Sequence, residues 1–216
     1  MAIKYDFEIN SIAIESQTIN QKHEGFLNRL SDLSDPWGIV TQCPAPDPGV
    51  YTIAMINWAH MFGTGKGIGG QILYKFRRKF EDEAFYDDSI MLSFNPRKIE
   101  YRGLIDVAMP RYVDAFDGYY AEMTDQEFLH MDWGKRPPGF DKRHNLYRLP
   151  PVSYMRRDFC DRALGLTPRQ IVQRLEGKVA VAREMLDGVI IVLTYEVLPT
   201  AEMDRLCWAA KAHLVG

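Results

Sequence analysis

The residues most able to do chemistry are a glycine-rich loop, five histidines, three cysteines and clustered carboxylates. Gly65-x-Gly67-x-x-Gly70 matches a dinucleotide fingerprint, in which bare backbone approaches a pyrophosphate at a helix N-terminus. That chemistry also needs an acid at the end of the next strand to hold a ribose, and Ser89 to Phe94 supplies none. A Walker A reading fails as well. Lys66 is followed by Gly67 rather than Ser or Thr, and His60 stands where the first glycine belongs. The preferred reading is a surface loop, with a nucleotide- or phosphate-binding enzyme kept as the alternative. His23, His60, His130, His144 and His213 are far apart, and no Cys-x-x-Cys occurs, so no metal site is expected. No Gly-x-Ser-x-Gly elbow occurs. Cys160 and Cys207 fall on apolar helical stripes and read as core thiols. Neither a catalytic residue nor a cofactor is expected.

Charge patterning is more informative. Glu81, Asp82, Glu83, Asp87 and Asp88 form an acidic run around Phe85 and Tyr86. Asp114, Asp117, Glu122, Asp125 and Glu127 form a second, beside Tyr119, Tyr120 and Phe128. Trp133 follows, and then Lys135, Arg136, Lys142, Arg143 and Arg148 make the next segment basic. The bland reading is a set of solvated faces. The functional reading is a protein-binding surface, where aromatic anchors supply buried energy and acids steer a basic partner. On that reading the contact residues are Glu81, Asp82, Glu83, Asp87, Asp88, Asp114, Asp117, Tyr119, Tyr120, Glu122 and Trp133.

The elements that must position these residues follow from periodicity. Tyr5, Phe7 and Ile9 alternate as a strand, and Thr18 with Gln21 makes a capping box for a helix over about 18–33. Pro44 to Gly49 reads as a loop, Val50 to Met61 as a buried strand, and Ile72 to Phe80 as a helix. Ile90 to Phe94 and Ile99 to Val107 read as strands. A helix starts near Pro110, with Tyr119, Tyr120 and Met123 continuing its face. Residues 134–151 read as a long loop. Met155 to Ala163 reads as a short helix that Gly165 ends, and Thr167-Pro168 with Gln170 starts another. Asp187-Gly188 signals a hairpin turn between strands beginning at Val179 and Val189, and Thr200 caps a closing helix. Strands and helices without regular βαβ spacing favour an α+β fold: one domain over 1–216, its mixed or antiparallel sheet flanked by helices.

Met109-Pro110-Arg111-Tyr112, Pro151-Val152-Ser153-Tyr154, Phe159 to Pro168, Asp187 to Ile191 and Leu198-Pro199 together resemble the immunity protein 52 family of bacterial polymorphic-toxin systems. The resemblance covers roughly residue 100 onward. It implies a cytoplasmic, non-enzymatic protein that binds a cognate toxin effector, often a nuclease delivered by type VI secretion, and blocks it.

Composition is that of an ordinary globular protein. The 216 residues are 46% apolar and 25% charged, enough to bury a real core. A net charge of −3 disfavours direct nucleic-acid binding. Three scattered cysteines make no disulfide framework, and neither a signal peptide nor a membrane span is read, so a cytoplasmic location is expected.

Overall fold

The computed structural model describes residues 3–33, 37–38, 54–57, 68–75, 77, 83–132 and 134–215. The fold is α+β. An eight-stranded sheet has the order β2-β3-β4-β1-β5-β6-β8-β7, and each neighbouring pair is antiparallel. The strands are β1 (Tyr5–Ser11), β2 (Ala54–Asn57), β3 (Ile68–Tyr74), β4 (Asp88–Phe94), β5 (Tyr120–Asp125), β6 (Val152–Arg156), β7 (Val181–Met185) and β8 (Gly188–Val192). The first helix is α1 (Ile19–Arg29). Next come α2 (Tyr101–Gly103), a π-helical turn (Leu104–Ala108) and α3 (Met109–Phe116) in one run. They are followed by α4 (Gln126–Asp132), α5 (Arg157–Leu164), α6 (Pro168–Leu175) and α7 (Thr200–Val215).

Alternation along β1 sets the two faces of the sheet. Tyr5, Phe7 and Ile9 are fully buried on one face, with Ile90, Leu92, Phe94, Ala121 and Met123 of the neighbouring strands in the same core. Phe26, Tyr112 and Phe116 from α1 and α3 close that core, which each large side chain stabilises by about 1.5–3 kcal/mol. The opposite face changes character along the sheet. Over β6 and β8 it is apolar, and Met155, Val189 and Ile191 pack with Phe159, Ile171, Cys207 and Leu214 of α5, α6 and α7. Strand β8 is therefore buried on both faces, which is why it reads as an unbroken apolar run. Over β1, β4 and β5 the same face carries Asp6, Glu8, Asn10, Ser93 and Glu122.

Local signals placed several ends correctly. Both capping boxes are present: Thr18 with Gln21 starts α1, and Thr167 with Gln170 starts α6. Gly165 ends α5 at φ 64°. Residues 134–151 contain neither helix nor strand.

Other expectations are corrected. Ile99 to Val107 is not a strand, because Tyr101, Leu104, Ile105, Ala108 and Met109 bury one helical face. Packing overrides the β-propensity of that segment, and the π turn disguises its period. The helix after Pro110 stops at Asp117, at φ 56°, and Tyr120 and Met123 belong to β5. Gly118 is required there, since a Cβ would sit 2.7 Å from the Ile9 methyl. Ile72 to Tyr74 is strand rather than helix. Met155 lies in β6, ahead of the helix it was assigned to. The hairpin turn is Leu186-Asp187, one residue earlier than expected, with Leu186 at φ 51°. Gly188 opens β8 instead, and a Cβ there would collide with the Met155 carbonyl oxygen. The expected loop at 44–49 and most of the strand at 50–61 lie outside the described residues.

Candidate functional site

Glu81, Asp82 and Trp133 lie outside the described residues. The other expected contact residues converge, but mostly inside the protein. Ser11 ends β1, Asp88 begins β4 and Tyr120 begins β5, so all three meet at one end of the sheet. Asp87 and Asp88 are buried there, as are Tyr119 and Tyr120. A buried carboxylate must be paired, and each has its partners. Asp87 accepts from the Tyr119 hydroxyl at 2.6 Å and from Arg143. Burial pushes its pKa upward in spite of both bonds. Asp88 accepts a fork from Arg77 at 2.9 and 2.7 Å and the Lys75 amide at 2.7 Å, with the Lys22 ammonium 3.3 Å away. These four residues are therefore buried at the sheet end, where Asp87, Asp88 and Tyr119 are held in hydrogen bonds and ion pairs. What that end exposes is Glu83, Asp114 and Asp117, with Phe85 69% exposed beside Glu83. The Lys75 ammonium lies 4.5 Å over the Phe85 ring.

The basic loop is the counterpart of the acids. Glu8 and Glu122 stand directly opposite each other on β1 and β5, an unfavourable like-charge pair. Lys142 resolves it, 2.8 Å from Glu8 and 3.5 Å from Glu122. Glu122 also accepts from the Tyr120 hydroxyl at 2.7 Å. Burial works against the Glu8 carboxylate, but Lys142 and the Asn10 amide outweigh it and hold its pKa below the usual range. Burial likewise opposes the Lys142 charge, and the two carboxylates overcome it and raise its pKa. Arg148 pairs with Asp132 and Asp204, its guanidinium 4.1 Å over the Phe128 ring. Three of the five cations that make the segment basic are thus consumed inside the fold.

Aromatic rings and the remaining cations stay at the surface. Phe140 and Tyr147 meet edge to face at 6.1 Å, and Tyr147 meets Trp208 of α7 at 5.4 Å. Beneath this rim a cleft lined by Tyr120, Glu122, Lys142 and Tyr147 holds about 30 Å³, room for about one water molecule. It is too small for a cofactor. Sequence reasoning missed Trp208. The available signal was that it falls off the apolar stripe of the closing helix.

Of the glycine-rich loop, Gly63, Gly65 and Gly67 lie outside the described residues. Gly70 lies within β3, paired with Leu92, and the chain after it continues as strand to Tyr74. A helix N-terminus, which the dinucleotide fingerprint requires at that point, is absent there. Burial pushes the Cys160 and Cys207 thiols up to about 12, so both are protonated core groups. Among the described residues no cluster of His, Cys, Asp and Glu could hold a metal ion, and no helix is long and apolar enough to cross a membrane.

No family model matches the sequence, and no curated protein matches it. The resemblance to immunity protein 52 therefore stands on its quoted residues alone. Among solved structures, a T6SS protein of Pseudomonas aeruginosa superposes with a TM-score of 0.55 over 99% of this chain and 73% of that one, at 10% identity. At that identity the likeness is one of fold.

Proposed function

We propose that the chain is an immunity protein of a type VI secretion system. It binds a cognate toxin effector, a nuclease, in the cytoplasm and neutralises it by occluding or distorting the active site. The observation that carries this reading is the fold shared with a T6SS protein over 99% of the chain. The immunity protein 52 resemblance from residue 100 onward points the same way. Burial of Asp87 and Asp88 within ion pairs supports binding over turnover. The contact surface on this reading takes in the exposed Phe85 with its neighbour Glu83, and the exposed Asp114 and Asp117. Exposed acids there suit the basic cleft that a nuclease presents to its own substrate.

The test is capture with the tagged chain from its native bacterium, grown so that the effector is expressed. The expected result is one stoichiometric partner with a toxin-like domain. Phe85→Ala should weaken its binding by about 2 kcal/mol, as for an aromatic anchor. Asp114→Lys with Asp117→Lys should slow association. Unchanged binding in all of these would move the contact surface elsewhere. Absence of any toxin partner would overturn the reading itself.

A further inference from the structure

A second surface is built of different residues and carries the opposite sign. Tyr147 is its centre. The Arg136 guanidinium lies 5.7 Å from the Tyr147 ring and 5.3 Å from Phe140. The Lys211 ammonium lies 5.9 Å from Tyr147 and 5.4 Å from Trp208, and donates to the Tyr147 carbonyl. On α7, Trp208, Lys211 and Val215 are spaced i, i+3 and i+7, so they share one face. Trp208 is 38% exposed and Val215 61%.

Charge bookkeeping makes this patch unusual. Lys142, Arg143 and Arg148 each sit on a carboxylate. Arg136 and Lys211 sit on rings instead, and among the described residues no carboxylate lies within ion-pairing distance of either. Burial alone lowers the Lys211 pKa, as expected of an ammonium partly stripped of water with no counter-charge. Lys211 thus stands without a counter-charge, and Arg136 feels Glu8 only at a distance. Both lie at a half-buried to exposed aromatic cluster in a chain whose net charge is −3. Tyr, Trp and Arg in this arrangement are the residues that dominate protein interfaces.

We infer that the Arg136–Tyr147–Lys211–Trp208 patch docks an acidic segment of a partner protein. Carboxylates of the segment pair with Arg136 and Lys211, and an apolar side chain covers Trp208 and Val215. Single-stranded nucleic acid would also use aromatics and cations, but it stacks bases on free ring faces. Here the cations already lie over the Tyr147 and Trp208 rings, which favours a carboxylate partner.

The test uses the isolated full chain and does not depend on the effector, so its failure is separate from failure of the immunity reading. The chain is labelled with ¹⁵N-tryptophan, and the Trp208 indole signal is assigned with Trp208→Phe. It is titrated with a synthetic peptide of glutamate pairs and leucines, the same peptide with lysine for glutamate, and an oligouridylate. The glutamate peptide should shift the Trp208 signal saturably. Arg136→Gln and Lys211→Gln should each weaken binding about fivefold, the upper range of one exposed ion pair, and about 25-fold together. Both variants should melt as the wild type does, and the exposed control Arg183→Gln should bind normally. No Trp208 shift with the glutamate peptide, unchanged affinity in both variants, or a stronger response to oligouridylate or the lysine peptide would overturn the proposal.

Discussion

Replacing Lys142 by methionine should reverse how stability depends on pH. In the wild type, Glu8 titrates below the usual carboxylate range and Lys142 above the usual lysine range. The Glu8 contribution is present above its unfolded pKa of about 4.3 and is lost as pH falls through the lower folded value. The Lys142 contribution is present below about 10.4 and is lost as pH rises through the higher folded value. Without Lys142, Glu8 and Glu122 remain directly opposite each other. Two carboxylates about 5 Å apart repel by about 3 kcal/mol at an effective dielectric of about 20. Taking up one proton removes that repulsion. From an unfolded pKa of about 4.3, protonation costs about 3.7 kcal/mol at pH 7 but only about 1 kcal/mol at pH 5. The repulsive penalty in Lys142→Met should therefore fall from about 3 kcal/mol at pH 7 to about 1 kcal/mol at pH 5. Urea unfolding of both proteins at the two pH values measures this difference. Adding Glu8→Gln to the variant should recover most of the loss at pH 7. A deficit equal at both pH values, or larger at pH 5, would refute the reasoning and leave Lys142 as a packing residue.

Three further outcomes follow from particular contacts. Gly188→Ala should lose about 1–3 kcal/mol in urea unfolding, because its Cβ meets the Met155 carbonyl backbone and β6 must shift. An unchanged midpoint would mean that β8 separates from β6 at little cost. Arg77→Gln should lose about 3 kcal/mol, since among the described residues the fully buried Asp88 keeps only the more distant Lys22 as counter-charge. A loss below about 1 kcal/mol would show that Lys22 suffices, at the level of an exposed pair. Thr167→Ala should lose about 1 kcal/mol by removing the α6 cap, and Thr167→Ser should not.

The α+β class, both capping boxes and the C-terminal hairpin with its closing helix were legible because each rests on a local pattern. Thr18 and Gln21, like Thr167 and Gln170, carry their partners three residues away. The segment Ile99 to Val107 was illegible because its helical period contains a π turn. Its buried residues Tyr101, Leu104 and Ile105 are apolar and packed, so strand and helix fit the same string. The acidic runs pointed to a real place, the end of the sheet where Asp87, Asp88, Tyr119 and Tyr120 gather. Their exposure was misread for a physical reason. Arg143 reaches Asp87 across 56 positions, and such long-range pairing leaves no trace in local spacing. The acidic and basic runs were each visible, but the matching of one to the other was not. Glu83, Asp114 and Asp117 remain at the surface, Asp117 with Arg156 3.6 Å away.

The central claim is that the chain binds and disarms one cognate effector. Its most direct measurement is the dissociation constant of the chain for the captured effector, taken beside the effector's activity at equimolar chain. Nanomolar or tighter affinity, about 12 kcal/mol or more of binding free energy, with activity abolished at one equivalent, is the expected result. Micromolar affinity, or tight binding that leaves the effector fully active, would contradict it.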